Sequence, residues 1–347
     1  MNWVQAVFFG IKAAVLAVVI EALLRIGKRA LKTWPMYLIA GAAFVAIFAL
    51  NVPFPLIIAA AALAGFIGGR FDPDRFLVIR GREVSDEGDV PSPKAFLHAA
   101  SPERERPSWS AFVRTALTWL ALWAAPILVL IAVVGPDHVF TELAVFFSKL
   151  AVVTFGGAYA VLAYMAQEAV QTHGWLAPGE MLDGLGMAET TPGPLIQIVQ
   201  FVGYMGGFRE AGSLGPVLSG IIASIIVTWV TFVPCFLWIF LGAPFIETLR
   251  GAKLLTAALS AVTAAVVGVI LNLAIWFALH VAFSQLTEYR GFGTRLLIPE
   301  LTSIDVASVV IAAAALIAMV RFKIGMLTVL GASALTGAGY YLAVLSA

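Results

Sequence analysis

Polar residues and helix breakers concentrate in one stretch of this 347-residue chain, residues 154–208. Gly156 and Gly157 interrupt an apolar run, and the sequence Glu-Thr-Thr-Pro-Gly-Pro follows at residues 189–194. Glycine and proline break helices, and broken backbone in apolar surroundings is tolerated only where protein or water satisfies its polar groups. The pattern predicts two half-helices that meet at residues 191–194, in a re-entrant arrangement.

This geometry suits the binding of an anion. The second half-helix would start near Pro192 or Pro194, and the free N–H groups and dipole of a helix N-terminus favour negative charge. The hydroxyls of Thr190 and Thr191 can donate to oxyanion oxygens. The alternative is that glycine and proline only kink the helices for packing. The predicted substrate-binding residues are Lys149, Thr154, Gly156, Gly157, Thr190, Thr191, Pro192, Gly193, Pro194, Gln197 and Tyr204.

Four charged side chains, three in this region and Lys149 just before it, each have two interpretations. Lys149 either supplies positive charge to an oxyanion or extends to the outer membrane interface. Glu189 either holds a coupling proton or caps a half-helix near water. Glu180 and Asp183, three residues apart, are further proton-coupling candidates, or they are carboxylates that favour the first turn of a helix.

The composition is that of an integral membrane protein. Hydrophobic residues make up 61% of the chain, charged residues 12%, and the mean hydropathy is +0.97. Soluble domains are about 45–50% apolar and about 25% charged, so a soluble enzyme or nucleic-acid binder is excluded. The net charge of +1 favours no polyanionic partner. One cysteine and four scattered histidines predict no metal site, no cofactor is expected, and the absence of a nucleophile–base pair or phosphate loop in the sequence predicts that the chain is not an enzyme.

Ten apolar stretches approach the roughly 20 residues that a helix needs to cross a bilayer. They predict an all-α polytopic membrane protein with about ten transmembrane spans plus the re-entrant segment. Residues 70–109, rich in charge and proline, are predicted to be a cytoplasmic linker. Placing the basic loops inside puts 17 of the 21 Lys and Arg residues, Arg209 among them, on the cytoplasmic side. The spans lie at 7–24, 35–50, 54–69, 112–134, 139–165, 213–232, 236–248, 254–283, 304–320 and 324–345.

The two ends of the chain resemble each other. The segment IKAAVLAVVI at 11–20 matches VTAAVVGVIL at 262–271, and an apolar helical pair follows each segment. Because the charge distribution orients the two helices oppositely, the sequence predicts an inverted repeat, a common transporter plan. The second unit holds more sequence before its matching helix than the first. The first unit is therefore expected to lack a portion, through truncation, gene decay or supply by a separate chain.

One series of motifs resembles the repeated domain of the chromate transporter family, both in order and in spacing. It consists of Phe155-Gly156-Gly157, Gly174-Trp175-Leu176, Leu182-Asp183-Gly184-Leu185, Thr191-Pro192-Gly193-Pro194 and Phe201-Val202-Gly203-Tyr204. The resemblance implies export of chromate, a tetrahedral oxyanion, across the bacterial inner membrane, driven by the proton motive force and conferring chromate resistance. It also implies three regions: 1–69 as the tail of a first transporter unit, 70–109 as the linker, and 110–347 as a complete second unit.

The resemblance leaves alternatives open, because a long family member carries the motif set in each unit and this chain carries one. The chain is then either an autonomous chromate exporter or a partner-dependent subunit, and its substrate is chromate, sulfate or another oxyanion. A homodimer, or a second chain that supplies the missing repeat, is the expected assembly. Membrane lipid is an expected partner, and nucleic acid is not.

Overall fold

The computed structural model describes residues 3–78, 109–154, 158–191, 197–243, 252–291, 294–340 and 343. The first part of the chain is helical, with prolines in the first turns of the second and third helices, where the missing N–H costs no hydrogen bond. Residues 79–108, most of the predicted linker, lie outside the described part. The helices here are α1 (Trp3–Ala30), α2 (Trp34–Phe48), α3 (Phe54–Phe71), α4 (Pro73–Phe76) and α5 (Trp109–Val133).

The rest of the chain is also helical, with one exception. An antiparallel hairpin of β1 (Leu286–Gly291) and β2 (Thr294–Pro299) connects two helices. The predicted all-α polytopic fold is confirmed, and this small hairpin is the strand structure that the sequence did not predict. The helices are α6 (Val139–Val153), α7 (Ala158–Gln167, continued by a π-helical turn Glu168–Thr172), α8 (Pro178–Thr190), α9 (Ile198–Arg209), α10 (Pro216–Gly242), α11 (Lys253–Ala282), α12 (Val306–Val320) and α13 (Met326–Tyr340).

Five of the described helices, α1, α3, α5, α10 and α11, are long and apolar enough to cross a bilayer. The apolar helices α2, α12 and α13 are shorter, with 15 residues each in the described part. The predicted spans 213–232 and 236–248 are corrected to one helix, because Pro234 lies inside α10 without ending it. Helix interruption by proline is tolerated in apolar surroundings where neighbouring groups satisfy the freed backbone.

The helices α1 and α11 form the centre of the molecule, and each packs on the helical pair of the other repeat. Helix α1 contacts α12 and α13, whereas α11 contacts α2 and α3. Small residues allow these helices to approach closely, since a side chain at Gly65 or Gly337 would collide with the backbone of the facing helix. The contacts are those of Gly337 with Ala6 and Gly10, and of Gly65 with Ala257 and Ala261.

The same contacts place the two repeats in register. The alignment that sets segment 11–20 on segment 262–271 also sets Ala6 on Ala257 and Gly10 on Ala261. The Thr33 hydroxyl, just before α2, donates at 2.8 Å to the carbonyl of Arg75 in α4, just after α3. The end of α1, the start of α2 and the end of α3 therefore lie at the same face of the molecule, and α1 runs parallel to α3. Since α3 runs antiparallel to α11, α1 and α11 are antiparallel. The structure therefore has the inverted arrangement that the sequence predicts.

Helices α6 and α7 form an antiparallel hairpin rather than the single span predicted at 139–165. The Glu142 carboxylate lies 3.6 Å from His173 Nδ1, and the rings of Phe146 and Tyr164 have centroids 5.5 Å apart. The physical reason is the break after Thr154, which the sequence did reveal but which reverses the chain instead of kinking it. The start of α6 and the end of α7 therefore lie at the same end of this first hairpin.

Helices α8 and α9 form a second antiparallel hairpin. Arg209 at the end of α9 donates to both carboxylate oxygens of Glu180, at 2.6 and 2.5 Å, and also to the Trp175 carbonyl. The predicted half-helices are thus present. The placement of Arg209 on the side of the basic loops is corrected, because its partners Glu180 and Trp175 lie at the open end of this hairpin.

The helix ends and connections define two opposite faces of the molecule. The basic face holds the helix ends at 25–32, 70–76 and 321–323. The opposite face holds the connections at 49–53, 135–138, 173–180 and 209–215. Both hairpins open on the opposite face and point their tips toward the basic face, because Gln167 contacts Asn51 at the former and Glu189 shares a cleft with Arg25 at the latter.

Candidate functional site

A hydrogen bond joins the two hairpins close to their tips. Tyr159, at the start of α7, donates its hydroxyl to Glu189 Oε1 at 2.9 Å, at the end of α8. Glu189 is 4% exposed, and it is the one buried carboxylate among the described residues. A buried charge is costly unless it is paired or hydrogen-bonded, so the tyrosine hydroxyl holds this carboxylate at the junction of the hairpins.

A cleft of about 830 Å³ leads from the basic face to this pair. Four cationic side chains line it, together with two carboxylates, those of Glu21 and Glu189, and the Tyr159 ring. Its net charge is therefore positive, and clefts with low-dielectric walls concentrate oppositely charged ligands. The cations are Arg25, Lys28, Arg29 and Lys323.

The spacing in α1 produces this lining. Residues three and four apart share a helix face, so Glu21, Arg25 and Lys28 follow one another down the wall of the cleft. The Arg25 guanidinium lies 3.0 Å from the Glu21 carboxylate, so the two side chains form an ion pair on this wall of the cleft. Lys323 comes from the turn between α12 and α13, where its backbone has φ of 54°.

The predicted threonine donors do not lie free at the hairpin tips. Thr154, Thr190 and Thr191 are exposed, but their hydroxyls donate back to helix carbonyls, at 2.6 Å to Leu150 for the first and at 3.0 and 2.8 Å to Met187 for the other two. Such bonds terminate a helix turn and leave the hydroxyl oxygen as an acceptor. The remaining predicted tip residues, Gly156, Gly157, Pro192, Gly193 and Pro194, lie outside the described residues.

Three other predicted substrate contacts are placed away from the cleft. The Tyr204 ring packs on Gly220 of α10 and stacks on Phe208 with centroids 5.8 Å apart. Lys149 is exposed on α6, and Gln197 is half-buried at the start of α9. The structure brings Glu189 to the cleft, but it does not bring these three residues to it.

The other two predicted proton-coupling residues lie nearer the opposite face than Glu189. Glu180 pairs with Arg209 and accepts from the Ala177 N–H at 2.8 Å, so it closes the α8–α9 hairpin. Asp183 pairs with Lys12 of α1 at 3.1 Å, and its Oδ1 is buried without a partner among the described residues. These carboxylates fasten the second hairpin to itself and to α1.

Sequence reasoning missed Tyr159 and the four cations as site residues. The cations were assigned only to membrane orientation, although Glu21, Arg25 and Lys28 recur at helical spacing within an apolar helix, and that signal predicts a charged stripe on one face. No local pattern marks Tyr159, because its role depends on two hairpins that meet only in the folded chain.

Comparison with known proteins gives a consistent family. The family model described as "Chromate transporter" matches residues 1–66 and 141–338. The chain is 31% identical over 271 residues to the chromate transport protein of Pseudomonas aeruginosa, covering 76% of this chain and 53% of that protein. It is 25% identical over 328 residues to the chromate transport protein of Cupriavidus metallidurans, covering 93% and 69%.

A further relative is the probable chromate transport protein of Synechococcus elongatus, 24% identical over 274 residues, which cover 78% of this chain and 57% of that protein. The chain thus spans about half to two thirds of the length of these curated relatives. No solved structure matches the chain.

Proposed function

This chain belongs to the chromate transporter family, and we propose that it exports chromate through the basic cleft. The observation that carries the proposal is the four-cation lining of a cleft that ends at the hairpin tips. A tetrahedral dianion loses its hydration on entering such a site, and charged hydrogen-bond donors replace it. Arginine and lysine supply both the charge and the donors.

The orientation that favours export follows from the same cations. Loops rich in Lys and Arg stay in the cytoplasm, so the basic face is the cytoplasmic one in this proposal. The cleft then opens toward the cytoplasm and receives chromate there. Export of this kind would confer chromate resistance on a bacterium that carries the protein in its inner membrane.

In this proposal the electrical part of the proton motive force drives export, because the transported anion carries two negative charges. A membrane potential that is negative inside contributes about 2.3 kcal/mol per charge per 100 mV. A dianion that moves outward gains about twice that amount, on the order of 4.6 kcal/mol. Glu189 then adjusts the affinity of the cleft: when it is protonated, four cations face one carboxylate instead of two.

Everted membrane vesicles test the proposal, since their outer surface is the cytoplasmic one. We expect energised vesicles that contain the protein to accumulate chromate. Collapse of the membrane potential should abolish accumulation, whereas collapse of the pH gradient alone should leave most of it. Accumulation only in right-side-out vesicles would contradict the orientation, and no chromate movement in either preparation would contradict the function.

Sulfate is the alternative substrate, since it is also a tetrahedral dianion and offers the cleft the same charge and oxygen geometry. Competition by sulfate in the vesicle assay separates the two substrates. Chromate accumulation that resists an excess of sulfate would assign the cleft to chromate.

The exposed Lys149 supports an assembly with a second copy of the chain. Lys149 lies ten residues into α6, which places it roughly 15 Å from the opposite face at the rise of an α-helix. A lysine at that depth requires a partner or a watery cavity, and a second copy, or a separate chain, would cover it. We expect a dimer in mild detergent that weakens in Lys149→Leu, and a strict monomer would contradict this assembly.

A further inference from the structure

The basic cleft has a counterpart at the opposite face, and the first sign of it is a pair of unusual backbone angles. Among the described residues other than glycine, Asn51 and Lys323 are the two with positive φ, at 49° and 54°. Asn51 is the third residue after the end of α2, and Lys323 is the third residue after the end of α12. The alignment that sets Gly65 on Gly337 sets Asn51 on Lys323. The inverted repeat therefore reproduces the turn itself.

The counterpart is a small cavity of about 60 Å³. The repeat alignment sets Glu21 on Asn272, Arg25 on Trp276 and Lys28 on Leu279, and all three of these α11 residues line the cavity. Ile47 and Phe48 line it where Met319 and Val320 line the basic cleft. Corresponding positions of the two repeats thus build both spaces, one at each face of the molecule.

The two spaces differ in charge. The positions that carry Glu21, Arg25, Lys28 and Lys323 in the cleft carry Asn272, Trp276, Leu279 and Asn51 in the cavity. None of the described residues that line the cavity is charged, and four of them carry carboxamides, namely Asn51, Gln167, Gln171 and Asn272. An amide N–H₂ can donate to an oxyanion without holding it by full charge. The cavity therefore suits weak binding of an anion that the cleft binds strongly.

The two spaces also differ in volume, about 60 Å³ for the cavity and about 830 Å³ for the cleft. Gln167 of α7 enters the cavity, and its Nε2 donates to Asn51 Oδ1 at 2.7 Å. Its Oε1 is buried and has no hydrogen-bond partner among the described residues. An unmatched buried acceptor is costly, so one hydrogen bond stabilises this contact and one unpaired oxygen opposes it.

We propose that the cavity lined by Asn51, Gln167, Asn272 and Trp276 is the release site for the transported anion, and that Gln167 is its gate. The proposal rests on the function proposed above and adds the exit. In the described conformation the cleft is wide and the cavity is narrow. Separation of Gln167 from Asn51 would widen the cavity, and because α7 carries both Gln167 and Tyr159, the same movement would shift Tyr159 at the end of the cleft.

Thiol labelling from the two sides of the membrane tests this. In a Cys235→Ser background, Glu21→Cys reports on the cleft and Asn272→Cys, at the equivalent position, reports on the cavity. With a membrane-impermeant reagent, we expect Glu21→Cys to react from the cytoplasmic side and Asn272→Cys to react slowly from the outside. Added Gln167→Ala should speed the outer reaction about three- to tenfold, as loss of one hydrogen bond predicts.

Asn51→Gly is the second gate variant, since it removes the amide acceptor while glycine adopts positive φ without strain. It should reproduce the faster outer reaction. An outer reaction that neither variant accelerates would overturn the gate. These readouts require no chromate. A faster outer reaction in a protein whose vesicles move no chromate would therefore contradict the substrate, and not the gate.

Discussion

Arg25→Gln is expected to raise the half-saturation concentration for chromate at the cytoplasmic side by about 10- to 100-fold. The variant removes a guanidinium from the cleft. It also removes the partner that lies 3.0 Å from the Glu21 carboxylate in the wild type, so this carboxylate faces the anion unpaired. Hydrogen bonds to charged groups contribute about 1.5–3 kcal/mol each, and about 1.4 kcal/mol corresponds to a factor of ten in affinity. Initial rates of uptake into everted vesicles over a range of chromate concentrations measure the change.

Two companion variants show whether charge in the cleft is the cause. Glu21→Gln combined with Arg25→Gln restores the wild-type balance of the cleft, since one cation and one carboxylate are lost together, and it should recover much of the affinity. Arg321→Gln removes the same charge from the basic face outside the cleft lining and should change little. Equal losses in Arg25→Gln and Arg321→Gln would show that only the general surface charge matters.

The sequence predicted the membrane class, the inverted repeat and the break at residues 191–194, because these depend on composition and on local helix breakers. It did not predict that 139–165 turns back on itself. Hydropathy measures how apolar a segment is, and a hairpin of two apolar half-helices has the same hydropathy as one long span. The contact of Glu142 with His173, which defines the hairpin, joins positions that no local pattern relates.

The sequence predicted only the part of the site that a local pattern marks. Glu189 was singled out by its place beside a helix break, which is a local signal, and the structure places it in the cleft. Arg25 and Lys323 lie far apart in the chain and meet only because α1 packs on the helical pair of the other repeat. A positively charged loop reports membrane orientation and gives no indication of what it faces. The cationic lining therefore required the packing of the two repeats.

Glu189→Gln is expected to change chromate affinity in the direction opposite to Arg25→Gln. In the wild type the Tyr159 hydroxyl lies 2.9 Å from Glu189 Oε1. The amide oxygen of the variant can still accept this hydrogen bond, so the two hairpins stay joined. The negative charge is gone, however, and four cations then face the single carboxylate of Glu21. Charges a few ångströms apart interact by more than about 1.4 kcal/mol even at an effective dielectric constant near 20. We expect the half-saturation concentration to fall at least about tenfold.

The pH dependence gives the sharper reading of Glu189. In the wild type, chromate affinity should weaken as rising pH removes the Glu189 proton, because the ionised carboxylate repels the dianion, and binding of the proton and of the anion is reciprocally linked. In Glu189→Gln the ratio of variant to wild-type affinity should therefore grow with pH, and taking the ratio at each pH cancels any titration of chromate itself. Glu142→Gln loses a carboxylate at the opposite face, outside the cleft, and should keep the wild-type profile. A constant ratio across pH for Glu189→Gln, or a weaker affinity than wild type at every pH, would mean that Glu189 only fastens the hairpin tips and takes no part in the link between proton and anion.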